Sequence, residues 1–517
     1  MPAWQDNLMK EIQALRQAFQ SQKMGALLLL GFASGLPLFL TSRTLQLWMQ
    51  DAKVDIAKIT LFGLLSLPYS LKFLWSPLLD RFTPPLLGGR RGWLIMTQIG
   101  LVLAIAALAL QQPAQSEQVL QILAINCLII TFLSATQDIA GDAYRTDILN
   151  PLEAQPGASV WVLGYRIALF ITSSLALVLA DYLPWNVVYL LMAVIMAGSI
   201  FTTLWSPAEH KLQNKTQLAP ISGKDVIFIV MITLLVAGLI AGVFVGFIPQ
   251  PVFYWLLAGL LVAWITTSVL LPNSLLNEVS EDSPPENLQT AIFLPFKEFF
   301  HRFGIKQASL TLGFILLYKL GDSLVGITAN LFLREIDFTK TEIGAIQAGM
   351  GFLATTVGVL AGGVIMTKIN LNRSLWVFGA LQLLSNLGYY ALAIAPRAEG
   401  IADKKDYSLL VIAVNIENFS AGLVTVATVA FLMRLCNHRF TTTQFALFSS
   451  LMAISRDVLS APAGSWAKAT GWPTFFLLSL VAALPGLLLL PIVAPWNPKV
   501  LAATRPGLEE EDIWEHK

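Results

Sequence analysis

Charged side chains stand where an apolar sequence gives them little reason to be. The stretch "SATQDIAGDAYRTD" (134–147) closes a long apolar run with Asp138, Asp142 and Arg145 at i, i+4 and i+7. A helix puts all three on one face. Other apolar runs carry Arg43, Lys72, Arg166, Lys319, Asp322, Glu417, Arg456 and Asp457. A charge at the centre of a bilayer costs about 3 kcal/mol on insertion scales, so it pairs, faces a polar cavity or works. Two kinds of chemistry fit. A carboxyl group taken out of water holds its proton more tightly and can load and unload one. An arginine or lysine in a dry setting binds anions through charge-assisted hydrogen bonds.

Membrane-crossing helices must position such residues. The 517-residue chain is 56% hydrophobic and 13% charged, with mean hydropathy +0.67; soluble chains carry about 25% charged residues. Apolar windows of about 20 residues, long enough for roughly 30 Å of hydrocarbon, recur throughout, and β-barrel alternation is absent. The fold class is an all-α polytopic membrane protein. Fourteen spans are predicted: 24–47, 57–78, 92–112, 118–142, 157–180, 184–205, 226–247, 252–271, 307–328, 342–366, 374–395, 408–433, 443–466 and 471–494. Six lie on each side of an extra central pair, 226–271, which holds no charged residue and reads as lipid-facing packing.

The predicted organisation follows. Residues 1–22 form an N-terminal segment that lacks the apolar core and cleavage site of a secretory signal. Leu8, Ile12, Leu15 and Phe19 fall on one helical face of it, so it reads either as an amphipathic helix on the membrane or as a frayed tail. Residues 23–206 make a first six-helix bundle and 207–287 a linker with the extra pair. Residues 288–496 hold an interfacial helix, "AIFLPFKEFFHRFGI", and a second bundle; 497–517 form an acidic tail. Of the 33 Lys and Arg, twenty fall in segments on the N-terminal side of the membrane, eight on the other side and five within spans. That bias places both termini in the cytoplasm. The turns "SPLLDRFTPPLLGGRRGW" (76–93) and "AGGVIMTKINLNRSLW" (361–376) occupy equivalent places in the two halves, which points to an internal repeat.

Counting about 1.5 Å per residue from each span's end puts the charges at different depths. Arg166, Lys319, Asp322, Glu417 and the Arg456–Asp457 pair lie deep; Arg43 lies near the outer end of the first span and Lys72 toward the cytoplasmic side. Asp138 and Asp142 reach the inner mouth. There they can meet Lys72, Asp80, Arg81, Arg90, Arg91 and Arg145, either as a gate that forms and breaks or as permanent structural pairing. Asp322 and Glu417, and less directly Asp138, are the candidates for a coupling proton. Lys319 lies at i−3 from Asp322 and can pair with it instead. Arg43, Arg166 and Lys319 suit an anionic substrate, with Tyr165 and Tyr318 beside buried charges as rings that stack on sugars or simply pack. Gly31 and Gly35, spaced as in GxxxG, let the first span approach a neighbour closely.

Absences narrow the classes. No G-x-x-x-x-G-K-[ST], H-E-x-x-H or G-x-S-x-G occurs, so neither a nucleotide-driven pump nor an enzyme is expected. The four histidines fall in polar connecting segments, so no intramembrane metal site and no cofactor are indicated. A net charge of +1 argues against nucleic acid as a partner. Cys127 and Cys436 imply no disulfide framework. Transport would draw on an ion gradient or on the solute's own.

The strings "LLGFASGLPLFLTSRTLQLWM" (29–49), "LKFLWSPLLDRFTPP" (71–85), "RRGWLIMTQ" (90–98), "SATQDIAGDAYRTD", "VLGYRIAL" (162–169), "LYKLGDSL" (317–324), "ENFSAGL" (417–423) and "LCNHRFTTTQFALFSSL" (435–451) closely resemble the AmpG-type muropeptide permeases of the major facilitator superfamily, near the acetyl-coenzyme A transporters. Asp80, Arg81, Arg90 and Arg91 match that superfamily's basic loop between helices 2 and 3. The resemblance implies a major facilitator fold with a twelve-helix core, a bacterial inner-membrane location, and proton-driven import of anhydromuropeptides for peptidoglycan recycling and β-lactamase induction. The implied partners are an anionic glycopeptide, protons and the lipid bilayer, with no obligate protein partner. The pair at 226–271 departs from the twelve-helix core. A transporter of another anionic solute, such as acyl-coenzyme A, and a non-transporting membrane signalling protein stand as alternatives.

Overall fold

The computed structural model of the chain describes residues 21–54, 62–81, 84, 89–113, 116–209, 288–395, 406–437, 440–460 and 462–496, with scattered positions between 231 and 270. The expected N-terminal amphipathic segment, most of the extra pair at 226–271, the linker and the acidic tail lie outside the described residues. The described secondary structure is helical throughout: α1 Gln22–Leu40, α2 Arg43–Asp51, α3 Leu67–Leu71, α4 Ser76–Arg81, α5 Gly89–Ala109, α6 Glu117–Ile148, α7 Pro151–Phe170, α8 Ala176–Tyr182, α9 Trp185–Trp205, α10 Leu288–Phe303, α11 Ile305–Leu317, α12 Leu320–Glu335, α13 Lys340–Gly344, α14 Phe352–Ile369, α15 Leu371–Ile394, α16 Tyr407–Leu435, α17 Thr441–Ile454, α18 Ala463–Thr470 and α19 Trp472–Val493.

Among the described residues nine helical stretches are long and apolar enough to cross a membrane: Gln22–Asp51, Gly89–Ala109, Gln118–Ile148, Trp185–Trp205, Ile305–Glu335, Glu342–Ile369, Leu371–Ile394, Tyr407–Leu435 and Trp472–Val493. Their outward faces are apolar; Leu103, Phe201 and Leu488 are 66%, 74% and 72% exposed. A surface of that kind belongs against lipid. The predicted spans 57–78, 157–180 and 443–466 are each interrupted. The described part of the first is a run of short 3₁₀ and α turns with Pro68 and Pro77 in it. The second passes through a π-helical segment at 171–175, and the third through another at 455–459 before Pro462. Hydroxyl groups help to loosen these turns. The Thr172 hydroxyl donates to Ala168 O, and Thr172 O in turn accepts from the Thr44 hydroxyl at 2.6 Å. Side-chain donors of this type compete with the backbone ladder.

Two further predicted spans are broken rather than straight. The first turns at Thr41–Ser42, whose hydroxyls donate to Pro37 O at 3.0 Å and Leu38 O at 2.6 Å. The span predicted at 307–328 is two helices, α11 and α12, joined at Tyr318–Lys319.

By its contacts the chain divides into two units: Met1–Glu153 with Leu163–Arg302 and Cys436–Ser450, and Ala154–Val162 with Phe303–Leu435 and Leu451–Lys517. Each has an apolar core, one around Trp48, Tyr189, Ile105 and Met192, the other around Phe332, Phe338, Tyr389 and Phe476. The two also share a pattern of ties. Gln22 at the start of α1 donates to Trp205 O at the end of α9 at 2.8 Å, and Gln307 at the start of α11 donates to Ile492 O near the end of α19 at 2.7 Å. Arg91 at the start of α5 donates to Thr203 O and Leu204 O on α9; Asn372 and Trp376 at the start of α15 donate to Pro495 O and Ala494 O beyond α19. Each unit thus fastens its early helices to its last one by side-chain bonds to terminal carbonyls.

The close approach expected of the first span is made by Gly35 together with Gly164 on α7. A Cβ on Gly35 would stand 2.6 Å from Tyr165 O, and one on Gly164 would collide with Leu28 O. Overpacking of this kind costs about 1–3 kcal/mol. Gly164→Ala should therefore lower the thermal midpoint of the detergent-solubilised protein, whereas Gly198→Ala, whose Cβ meets nothing within 4 Å, should leave it unchanged.

Candidate functional site

The residues singled out in the sequence gather in three places, two in the first unit and one in the second. On α6, Asp138, Asp142 and Arg145 share a face as their spacing requires. The Ser34 hydroxyl of α1 donates to Asp138 Oδ1. Asp142 holds two cations: Arg145 Nη2 at 3.1 Å, one turn along, and Lys72 Nζ at 3.7 Å. Arg145 is almost wholly buried, and its guanidinium lies 5.1 Å from the centroid of Phe445. The Tyr69 hydroxyl is buried in the same region, beside Ser134.

The second cluster is a latch around Asp80, whose side chain is 1% exposed. Asp80 Oδ1 accepts from Arg90 Nη2 at 3.0 Å. Asp80 Oδ2 accepts from the Thr443 hydroxyl at 2.6 Å and from Thr443 N at 2.9 Å. Thr443 is the third residue of α17, so the carboxylate of a distant turn satisfies one of the unpaired N–H groups at that helix's start, where the helix dipole also favours an anion. Arg90 Nε donates to Asp147 Oδ2 at 3.1 Å, and Asp147 Oδ1 accepts from the Thr441 hydroxyl at 2.9 Å. Glu209 accepts the backbone N–H of Arg90 and of Arg91. All these residues fall in the first unit, which includes Cys436–Ser450.

Not every residue predicted for this gate joins it. Arg91 turns its guanidinium away to the last carbonyls of α9, where it caps a helix C-terminus. Arg81 ends α4, and its side chain lies outside the described residues, as do those of Arg43 and Asp457. Asp147, Glu209, Thr441 and Thr443 belong to the latch and went unselected in the sequence. The signals were Asp147 at the end of "YRTD" and the threonine run of "RFTTTQ" at a helix start.

The third place is the break between α11 and α12. Lys319 is the joint, and Asp322 sits in the first turn of α12, 3.8 Å from Lys319 Nζ. Gln382 Nε2 of α15 donates to Asp322 Oδ1 at 2.8 Å, and Lys319 Nζ donates to the Thr425 hydroxyl at 3.2 Å. A small cavity is lined by Tyr318, Lys319, Asp322, Gln382, Asn386 and Val424 among others. The oxygens of Gln382 Oε1 and Asn386 Oδ1 are buried without a hydrogen-bond partner. Two glycines permit the break. A Cβ on Gly486 would stand 2.6 Å from Tyr318 Cα, and one on Gly321 would stand 2.6 Å from Ser479 O. Glu417, on α16, accepts from the Tyr389 hydroxyl at 3.3 Å and from Asn418 Nδ2 at 3.1 Å. Tyr318 is buried against Phe314 and donates its hydroxyl to Leu375 O at 2.7 Å, so its polar end is engaged within the fold. Arg166 and Tyr165 are half-buried on α7. An interrupted membrane helix with a charged pair at the break is an arrangement by which transporters seat ions and polar solutes.

A family model described as acetyl-coenzyme A transporter 1 matches residues 24–186. The anhydromuropeptide permease of Escherichia coli (strain K12) is 38% identical over 474 residues, covering 91% of this chain and 80% of that protein. A Rickettsia felis protein named as transporter AmpG 4 is 29% identical over 481 residues, 92% of this chain and 97% of its own length. The crystal structure of the human organic anion transporter MFSD10 matches with a TM-score of 0.56 at 16% identity, over 92% of this chain and 99% of that one. The last likeness carries the fold alone, that of a major facilitator transporter, and the relatives are permeases rather than enzymes. With its apolar helices, this is a multi-pass membrane protein, and the chain belongs to the AmpG-type anhydromuropeptide permease family.

Proposed function

We propose that the protein is a proton-coupled importer of N-acetylglucosaminyl-anhydromuramyl peptides. It carries them from periplasm to cytoplasm across a bacterial inner membrane, with both termini inside, and so feeds peptidoglycan recycling and β-lactamase induction. Two six-helix bundles, 23–206 and 288–496, alternate access around a central cavity, with the extra pair at 226–271 outside the working core. The 38% identity with a named anhydromuropeptide permease over 91% of the chain carries the reading. The Lys319–Asp322 pair at a broken helix supports its proton branch. Asp322 is the first proton carrier to test; Glu417 and Asp138 follow. Arg43, Arg166 and Lys319 take the substrate's carboxylates, and Tyr165 stacks on its sugars. Asp80, Arg90 and Asp147, with Asp142, Lys72 and Arg145 beside them, form the cytoplasmic gate.

Uptake of labelled anhydromuropeptide into proteoliposomes, with and without an imposed proton gradient, tests the reading. Wild type should accumulate label only with the gradient. Asp322→Asn should lose that dependence per folded molecule: Asn can still accept from Gln382, and the amount of folded protein should fall because Lys319 loses its carboxylate partner. Wild type without uptake sinks the substrate; uptake indifferent to the gradient sinks the coupling. The family model over residues 24–186 favours a second reading, an acyl-coenzyme A as cargo. Competition by acetyl-coenzyme A against labelled muropeptide separates the two.

A further inference from the structure

The helix α10 precedes α11 and is amphipathic, with Phe296 and Phe299 buried and His301 exposed. Its ring of Phe299 packs 5.2 Å from that of Phe448 on α17. At its centre Glu298 uses both carboxylate oxygens. Oε1 accepts from Asn437 Nδ2 at 3.0 Å and is ion-paired with Arg302, whose Nε lies 2.9 Å away, and Oε2 accepts from Gln444 Nε2 at 2.8 Å. Gln444 in turn accepts the backbone N–H of Asn437 at 2.7 Å and donates to Pro295 O at 2.9 Å. Gln444 follows Thr443, the latch residue held by Asp80, and Asn437 O accepts from the Thr441 hydroxyl that also bonds Asp147. The start of α17 is thus gripped twice, by Asp80 and Asp147 and by Glu298.

We propose that α10 is a working part of the gate and that Glu298 is its positioning residue, setting Asn437 and Gln444 so that Thr441 and Thr443 meet Asp147 and Asp80. The proposal rests on reading the Asp80 cluster as a gate. Only a carboxylate fits the position, because both of its oxygens face amide N–H donors. Glutamine would turn an NH₂ against one of them, and an amide donor left facing a donor costs the bond and its desolvation.

Cys436 supplies a built-in reporter. It is buried beside this turn, and burial pushes its thiol above the ordinary range, so little thiolate is available to a maleimide while the turn is closed. Cys127, buried in the core of the first unit, reports unfolding. The test is maleimide labelling of both cysteines in membrane vesicles, read by mass spectrometry, alongside uptake. Glu298→Gln should raise the Cys436 labelling rate about tenfold, the factor for one hydrogen bond to a charged group, with Cys127 still protected. Gln444→Glu, which sets two carboxylates together, should do the same. The double change Glu298→Gln with Gln444→Glu puts a carboxylate opposite an amide again, at the loss of the bond to Pro295 O, and should bring both labelling and uptake closer to wild type than either single change does. Asp80→Asn is the control for the gate itself. If it opens Cys436 while Glu298→Gln and Gln444→Glu do not, α10 is only a scaffold and the proposal falls. If Asp80→Asn leaves Cys436 closed, the gate reading falls and takes the proposal with it. If single changes expose Cys127 and the double change fails to restore either readout, Glu298 holds the fold and not the gate.

Discussion

Asp80→Ala is expected to reduce uptake at least tenfold while leaving the protein in the membrane. The change removes the acceptor of Arg90 Nη2 and of both Thr443 donors and leaves Arg90 to Asp147, Leu79 O and Glu209. Breaking one side of a buried pair costs about 3–5 kcal/mol. Here the loss falls on one conformation, the one in which α17 starts against Asp80. Every 1.4 kcal/mol shifts a two-state equilibrium tenfold, so even half of that loss moves most molecules to the unlatched state. The measurement is uptake together with the Cys436 labelling rate. Uptake should fall as labelling rises. A variant that loses uptake without opening Cys436 would place Asp80 in substrate handling and not in the latch.

The second large effect concerns Lys319 and Asp322. Lys319→Met leaves the carboxylate of Asp322 with Gln382 as its one described partner, and an uncompensated charge in a membrane helix is costly. The amount of folded protein should fall several-fold. The doubly neutral Lys319→Met with Asp322→Asn removes both charges and keeps the Gln382 contact, so abundance should return while gradient-driven accumulation stays lost. Quantitative immunoblotting and uptake measured on the same vesicles decide it. If the doubly neutral protein accumulates substrate against a gradient, the pair is structural, and the proton must ride on Glu417 or Asp138.

Periodicity and apolar length revealed the regular spans. The prediction 92–112 is α5 at 89–109, 184–205 is α9 at 185–205, and 374–395 is α15 at 371–394. Polar extensions were harder to read. The span predicted to end at 142 continues to Ile148, because Asp142, Arg145 and Asp147 find partners and the helix need not stop at the first charge. The interruptions were hidden for a different reason. The break at Tyr318–Lys319 depends on Gly321 and Gly486 admitting the backbone of a neighbour more than a hundred residues away, and hydropathy carries no trace of that. The charges of the latch stood out, because a charge in an apolar sequence is conspicuous. Their partners Thr441 and Thr443 did not, since threonine is common in membrane helices and its role here is set by where another turn lands. Arg91 shows the converse, a conspicuous charge that caps a helix.

The pair of glutamine ties has a historical meaning. Gln22 and Gln307 are 285 positions apart, and their acceptors Trp205 and Ile492 are 287 apart (307 − 22 and 492 − 205). Two independent origins for the same first-to-last fastening at nearly the same interval would be a coincidence of both chemistry and distance. Duplication of a chain about half this long, whose opening helix was already fastened to its closing one, would leave both ties at this interval. On that view the charges that differ between the halves, Asp80 in one turn and no acid in the other, are later divergence.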